Sequence, residues 1–204
     1  MKGLTKNKGK CYSKVDRGQR NTKDFYQTPY KMTEALMDLK LFPRNYSVLE
    51  PACGKYAIVD IISKHFDLIQ YYDLYPMDHG VPKDFFAETR LFDCVITNPP
   101  FKLANEFIIH AKKVAVKQIA MLLPLNYLQG QKRYDGMFNN DNEFPLSAVH
   151  IFTRMPMLKQ TVREDGKYQT GMSAYAWYIW DVKHIGQPEI HWINSKDHIA
   201  RKNE

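Results

Sequence analysis

The order of apolar runs along the chain is the feature that most restricts its fold. Four runs of strand length, each ended by a turn residue or a proline, alternate with segments in which apolar residues recur at helical spacing. These runs are residues 47–50, 68–72, 92–97 and 118–124. Because a strand, a helix and a second strand in succession form a parallel crossover, this alternation predicts a doubly wound, mostly parallel α/β sheet of the Rossmann type.

The second half of the chain has a different pattern. Apolar runs at residues 149–152, 175–180 and 189–193 predict closing strands, one of them antiparallel, with tryptophans that belong to the core. The stretches 126–147 and 154–173 are long and polar, and they are expected to be functional or disordered loops. Their basic residues are Lys132, Arg133, Arg154, Lys159, Arg163 and Lys167.

Four residues follow the run at 92–97, namely Asn98, Pro99, Pro100 and Phe101. In an open α/β sheet, ligands bind in the crevice at the carboxyl ends of the strands. The two prolines fix φ near −65° and stiffen the loop. Taken alone, a tetrad of this kind also fits a second interpretation, in which Pro-Pro only ends a strand.

The tetrad has a chemistry that suits an amino group. Asn98 offers a side-chain carbonyl and Pro99 a main-chain carbonyl, which makes two adjacent acceptors for the hydrogens of an –NH2 group. Drawing both hydrogens away favours a tetrahedral nitrogen whose lone pair is free to attack. Phe101 offers an aromatic face on which the base that carries this amino group can stack, and such stacking contributes roughly 1–3 kcal/mol. The sequence therefore indicates a site for methylating an amino group.

A second motif surrounds the end of the first run. Glu50 ends the predicted strand, and the small-residue turn to Gly54 opens a helix, as in turns that approach a cofactor closely. Asp73 follows nineteen residues after Gly54, about the interval at which a dinucleotide fold places the acid that binds ribose hydroxyls. Further along, Asp84 and Phe85 suit an adenine amine and ring, although a surface turn explains them equally well.

Charge is unevenly distributed along the chain. The net charge is +7, and residues 1–23 contain eight basic residues against one acidic residue, so this tail accounts for all of it. Such a segment cannot fold alone and is either solvated or in contact with phosphates. We therefore expect a flexible basic tail at residues 1–23 and a single domain at residues 24–204.

The remaining counts favour a cytoplasmic protein without a metal. The chain has no stretch of about 18 apolar residues and no apolar segment like that of a signal peptide. Its three cysteines lack a CxxC pair, and its seven histidines lack metal-ligand spacing. We expect reduced thiols, no membrane, no metal, and a monomer or weak dimer.

Together these motifs resemble the class I S-adenosylmethionine-dependent methyltransferases, and within them the bacterial and phage DNA adenine amino-methyltransferases of the gamma motif order. Five motifs occur in that order, from Gln27-Thr28-Pro29 to the tetrad. The resemblance implies S-adenosylmethionine as cofactor, bound by Thr28, Pro29, Glu50, Pro51, Ala52, Gly54, Asp73, Asp84, Phe85 and Asn98. It implies a catalytic role for Asn98, Pro99, Pro100 and Phe101, with the target base flipped out of DNA.

Two departures from the family pattern qualify this interpretation. Tyr56 occupies the place where family members usually carry a second glycine. The chain also has no room for a separate target recognition domain, so we expect relaxed specificity or a very short site. The leading hypothesis is methylation of the adenine amino group in DNA. The alternatives are the same chemistry on RNA, methylation of a protein glutamine, and a catalytically silent nucleic-acid-binding relative.

Overall fold

The computed structural model describes residues 27–76, 82–138, 143–153, 158–162, 168–170 and 174–195, together with residue 197. The basic tail at residues 1–23 lies outside these ranges, so its predicted role stays a prediction. The described chain is built on a seven-stranded sheet with helices packed on both faces, and two further strands form a separate pair.

The strands in chain order are β1 (Ser47–Glu50), β2 (Leu68–Tyr71), β3 (Phe92–Thr97), β4 (Ala115–Pro124), β5 (Leu146–Phe152), β6 (Leu158–Val162), β7 (Tyr168–Thr170), β8 (Tyr175–Asp181) and β9 (Glu189–Ile193). The α-helices are α1 (Tyr30–Asp38), α2 (Val59–Ile62), α3 (Ala104–Val114) and α4 (Gln131–Arg133). None of the helices in the described ranges is long and apolar enough to cross a membrane.

The sheet has the strand order β2-β1-β3-β4-β8-β5-β9. Strands β1 to β4 are parallel, β8 is antiparallel to both of its neighbours β4 and β5, and β9 is parallel to β5. The predicted mostly parallel, Rossmann-like sheet with an antiparallel strand near the C-terminus is therefore confirmed. Strand order reverses at β1, and this is where a doubly wound sheet opens a crevice.

The two polar stretches contain more regular structure than the sequence predicted. Residues 125–138 form a 3₁₀ turn (Leu125–Leu128), α4 and a π-helical turn (Tyr134–Phe138), anchored by the buried side chains of Tyr127 and Met137. In the second stretch, β6 and β7 pair as an antiparallel hairpin. The expectation that residues 154–173 form a loop is therefore wrong for β6 and β7.

The tryptophans divide into two groups. Trp177 and Trp180 lie on β8, between β4 and β5, and both are fully buried, which confirms the prediction that they belong to the core. Trp192 lies on the edge strand β9 and is 68% exposed, so the same prediction was wrong for this residue. A run of apolar residues does not reveal whether its strand lies inside the sheet or at its edge.

Trp177 also fixes the first helix to the sheet. Its indole Nε1 donates a hydrogen bond of 2.7 Å to the main-chain oxygen of Met32, in α1. Both residues are fully buried, and a buried acceptor left without its donor costs about 1–3 kcal/mol. The contact therefore holds α1, and the Thr28-Pro29 segment before it, against the sheet.

We predict that Trp177→Phe lowers the free energy of unfolding by about 2–4 kcal/mol, since it removes this bond and leaves a cavity. Trp192→Phe is the matched control, because the exposed indole of Trp192 should change stability by no more than about 0.5 kcal/mol. Urea denaturation of both variants measures the difference. Equal stability of the two variants would show that Trp177 does not anchor α1.

Candidate active site at the carboxyl ends of β1 and β3

Strands β1 and β3 bring the two main sequence motifs to one edge of the sheet. The strands are parallel neighbours, with Leu49 opposite Val95. Their carboxyl ends therefore lie side by side, and they place Glu50 close to Thr97 and Asn98. This juxtaposition of the predicted cofactor turn and the predicted catalytic tetrad forms the candidate active site.

Glu50 is fully buried at the end of β1. Its Oε1 accepts hydrogen bonds from the hydroxyl of Thr97 at 2.6 Å and from the amide of Ala52 at 2.9 Å. Its Oε2 is buried and has no hydrogen-bond partner among the described residues. Burial raises the pKa of Glu50 to about 8, against the opposing effect of the two hydrogen bonds. A carboxyl group in this state favours a cationic ligand, which would stabilise its charged form.

The small-residue turn after Glu50 is closed by Asp73. The amide of Gly54 donates to Oδ2 of Asp73 at 2.9 Å, and the amide of Tyr75 donates to Oδ1 at 2.8 Å. Gly54 has φ of 50°, a left-handed conformation in which glycine carries no steric penalty. The structure thus brings Asp73 to the predicted cofactor turn. Ribose binding by Asp73 stays a prediction.

Tyr56 has a left-handed backbone conformation of the kind that glycine adopts without strain. Its φ is 63°, which costs roughly 1–2 kcal/mol for a residue with a side chain, and its amide donates to the main-chain oxygen of Cys53. The ring of Tyr56 meets the ring of Tyr71, at the end of β2, edge to face at 5.7 Å. The turn therefore accommodates Tyr56 in a left-handed conformation, and the side chain of Tyr56 packs toward β2.

The tetrad is held in place from the N-terminal side of the domain. Nδ2 of Asn98 donates a hydrogen bond of 3.0 Å to Oγ1 of Thr28, which is buried just before α1. Pro29 between Thr28 and α1 is the N-cap of that helix. Since this bond uses the amide nitrogen of Asn98, the carboxamide is oriented with Oδ1 as its acceptor end. Thr28, predicted to touch the cofactor, is thereby also a partner of Asn98.

Phe101 begins a 3₁₀ turn (Phe101–Leu103) that leads into α3. Pro99 is buried, and Pro100 caps the turn. The half-buried ring of Phe101 lies 5.9 Å from the ring of Tyr175 with an interplanar angle of 34°. The contact with Tyr175 orients the ring, and base stacking by Phe101 stays a prediction.

Asp84 and Phe85 occupy separate environments. Oδ1 of Asp84 accepts from the amide of Phe86 at 2.9 Å and caps a short 3₁₀ turn. Phe85 is only 2% exposed, and its ring packs on Phe107 at 4.9 Å and on His110 at 4.7 Å. Contact with adenine stays a prediction for both residues, and the half-buried ring of this segment is that of Phe86.

Sequence reasoning missed Thr97. This residue ends β3 directly before Asn98, is fully buried, and donates the short hydrogen bond to Glu50. A hydroxyl at the end of an otherwise apolar run was the available signal, because buried polar groups require a partner. Its partner lies 47 residues earlier in the chain, and only the pairing of β1 with β3 reveals it.

Comparison with known proteins identifies the fold. No family model and no curated protein sequence matches the chain. Among solved structures, a modification subunit provisionally assigned to a type I restriction enzyme of Vibrio vulnificus has a TM-score of 0.56 and 14% identity, over 85% of this chain and 48% of that one. The chain thus spans about half the length of that subunit.

Two further structures are similar over most of this chain. A protein provisionally named an RNA methyltransferase from Pyrococcus horikoshii has a TM-score of 0.58 and 14% identity, over 83% of this chain and 93% of that one. A protein provisionally named a class I S-adenosylmethionine-dependent methyltransferase from Listeria monocytogenes has a TM-score of 0.56 and 13% identity, over 82% and 65%. At these identities the likeness is one of fold.

The raised pKa of Glu50 predicts how stability depends on pH. The folded pKa of about 8 lies above the unfolded value of about 4.3, so the stability that the bound proton provides is complete below pH 4. This stability is lost as pH rises through about 8. Glu50→Gln stays neutral, and we predict that its melting temperature falls less between pH 5 and pH 9 than that of the wild type.

The exposed Glu34 on α1 provides the control, since Glu34→Gln should keep the wild-type pH profile. Thermal denaturation of the three proteins at a series of pH values measures the effect. Profiles of Glu50→Gln and wild type that coincide would contradict the assignment of a neutral, buried Glu50.

Proposed function

We propose that the protein transfers a methyl group from S-adenosylmethionine to the exocyclic amino group of adenine in DNA. One observation carries the proposal. Asn98, oriented by Thr28, lies at the carboxyl end of β3 beside a buried carboxyl group at the carboxyl end of β1. A pair of carbonyl acceptors next to a site for a cationic cofactor is the arrangement that amino methylation requires.

The residues of the crevice fit this cofactor. Glu50 presents a buried oxygen without a partner among the described residues, which suits the ammonium of the methionine part. The backbone at Gly54 allows close approach, and Asp73 lies beside it for the ribose hydroxyls. When bound, S-adenosylmethionine supplies an electrophilic methyl group on a positively charged sulfur. The carboxylate of Glu50 would therefore offset positive charge on the bound cofactor.

The tetrad prepares the target nitrogen. Oδ1 of Asn98 and the carbonyl oxygen of Pro99 accept its two hydrogens, while Phe101 stacks on the flipped base. These residues would hold the nitrogen lone pair toward the methyl group, which the cofactor would supply while its sulfur kept the electron pair of the former carbon–sulfur bond. The surplus proton of the nitrogen then passes to solvent. Stacking on Phe101 offsets part of the few kcal/mol that flipping costs.

The basic tail supports a nucleic acid as the substrate. Its eight basic residues at 1–23 give a charge that phosphates attract. The similar fold of a restriction-modification subunit agrees with DNA.

RNA is the second candidate substrate, because the same pair of acceptors fits the amino group of adenine or guanine in RNA. One of the structures with a similar fold carries the name of an RNA methyltransferase and is matched over 93% of its length. Transfer of labelled methyl groups to duplex DNA and to structured RNA of the same sequence separates the two substrates.

We predict that Asn98→Ala lowers the rate of methyl transfer at least about 100-fold, because the amine loses one of its two acceptors. Affinity for S-adenosylmethionine should stay within a few-fold of wild type, since the other predicted cofactor contacts remain in the variant. Methyl transfer to DNA and calorimetric titration measure the two effects. Asn45→Ala is the control, because Asn45 is exposed in the loop before β1, at the opposite edge of the sheet.

Loss of cofactor binding or of folding in Asn98→Ala would overturn the catalytic role. Full activity of the variant would do the same.

Deletion of residues 1–23 should weaken DNA binding and reduce its salt dependence. The tail carries eight basic residues, and the slope of log K against log salt becomes shallower by about 0.9 for each phosphate that the shortened protein no longer binds. Binding titrations of both proteins at salt concentrations between about 50 and 300 mM give the two slopes. Equal slopes would show that the tail does not bind phosphates.

A further inference from the structure

Thr97 connects the two halves of the candidate active site. It is the last residue of β3, it is fully buried, and its hydroxyl donates to Oε1 of Glu50 at 2.6 Å. The next residue in the chain is Asn98, whose side chain is held by Thr28 on the other side. One chain of contacts therefore runs from the end of β1, through the end of β3, to the segment that leads into α1.

We propose that Thr97 is a positioning residue that fixes the carboxyl group of Glu50 for the cationic end of the cofactor and ties it to the segment carrying Asn98. This inference rests on the proposed function. It adds a residue that neither the tetrad nor the cofactor turn contains, and it assigns that residue a role in both.

The hydrogen bonds around Glu50 support the first part of this role. Oε1 accepts from two donors on different elements, the Thr97 hydroxyl on β3 and the Ala52 amide in the turn. Two donors on one oxygen prevent the carboxyl group from rotating. The other oxygen, Oε2, has no partner in the described part of the chain, so it is the atom left for an ammonium group. Without Thr97, only the Ala52 amide would define this orientation.

The burial, charges and hydrogen bonds around Glu50 predict how cofactor affinity depends on pH. Burial is the main cause of the raised pKa of Glu50, and the charge of the nearby Asp73 carboxylate raises it further. The bond from Thr97 acts in the opposite direction, because a donor to a carboxylate stabilises its charged form. Removal of the hydroxyl therefore raises the pKa of Glu50 further. Affinity for a cationic cofactor is present above that pKa and is lost as pH falls through it.

The test is calorimetric titration of S-adenosylmethionine into the full-length wild type and Thr97→Val between about pH 6.5 and pH 9.5, a range centred near the pKa of Glu50. We expect about 10-fold weaker binding for Thr97→Val at pH 7, the effect of removing one hydrogen bond to a charged group. We also expect the midpoint of its pH dependence at higher pH. The amino group of the cofactor titrates in this range too, but identically for both proteins.

Thr97→Ser keeps the hydroxyl, and it should restore both the affinity and the pH midpoint. Thr33→Val is the matched control, since Thr33 is a fully buried threonine on α1 whose hydroxyl has no hydrogen-bond partner within the described ranges. This variant should bind as the wild type does. Should Thr97→Val be unfolded by circular dichroism, Thr97→Ala removes the same hydroxyl with a smaller side chain and carries the same expectation.

The outcomes separate the inference from the proposed function. A folded wild type that does not bind S-adenosylmethionine would overturn the proposed function and this inference with it. A wild type that binds, together with a folded Thr97→Val whose affinity and pH midpoint are both unchanged, would overturn the role of Thr97 alone. Weaker binding that Thr97→Ser does not restore would show a packing effect, and it would overturn the role as well.

Discussion

The burial of Glu50 at the reversal of strand order is the constraint on which the candidate site depends. A carboxyl group sealed from water is costly unless it is neutral or paired, and here only one of its oxygens has protein partners among the described residues. Because Oε2 of Glu50 has no hydrogen-bond partner among the described residues, the carboxyl end of β1 favours a cationic ligand. Thr97 and the turn that leads to Gly54 fix the position of the Glu50 carboxyl group, and Asn98 follows Thr97 in the chain. The geometry of the site therefore follows from how β1 and β3 pair.

Strands β1 to β4 could be predicted from the sequence because each is an apolar run with a clear end, and the turn chemistry then indicated a candidate site. The pairing of Gly54 with Asp73 could be expected from their spacing. The contact between Thr97 and Glu50 could not, since it depends on strand register between residues far apart in the chain. Trp192 shows the same limit, because an edge strand and a central strand have similar sequences. The hairpin of β6 and β7 was overlooked because polar residues dominate its sequence.

Tyr56 marks the main departure from the family pattern, and the structure gives it a physical account. The residue adopts the left-handed conformation of a glycine at a cost of roughly 1–2 kcal/mol. Its edge-to-face contact with Tyr71 contributes about 0.5–1.5 kcal/mol and offsets part of that cost. Whether the turn admits a cofactor beside Tyr56 stays a prediction. The ring of Tyr56 packs on Tyr71 at the end of β2, the strand that precedes Asp73.

Calorimetric titration of the folded, full-length protein with S-adenosylmethionine tests the central claim most directly, because every assigned role depends on a cofactor beside Glu50. The proposed function predicts one site per chain with a dissociation constant in the micromolar range, on the order of −8 kcal/mol of binding free energy. The absence of binding at cofactor concentrations up to about the millimolar range, near −4 kcal/mol, would contradict it. In that case Tyr56 closes the turn to the cofactor, and the tetrad of Asn98 to Phe101 serves only the fold.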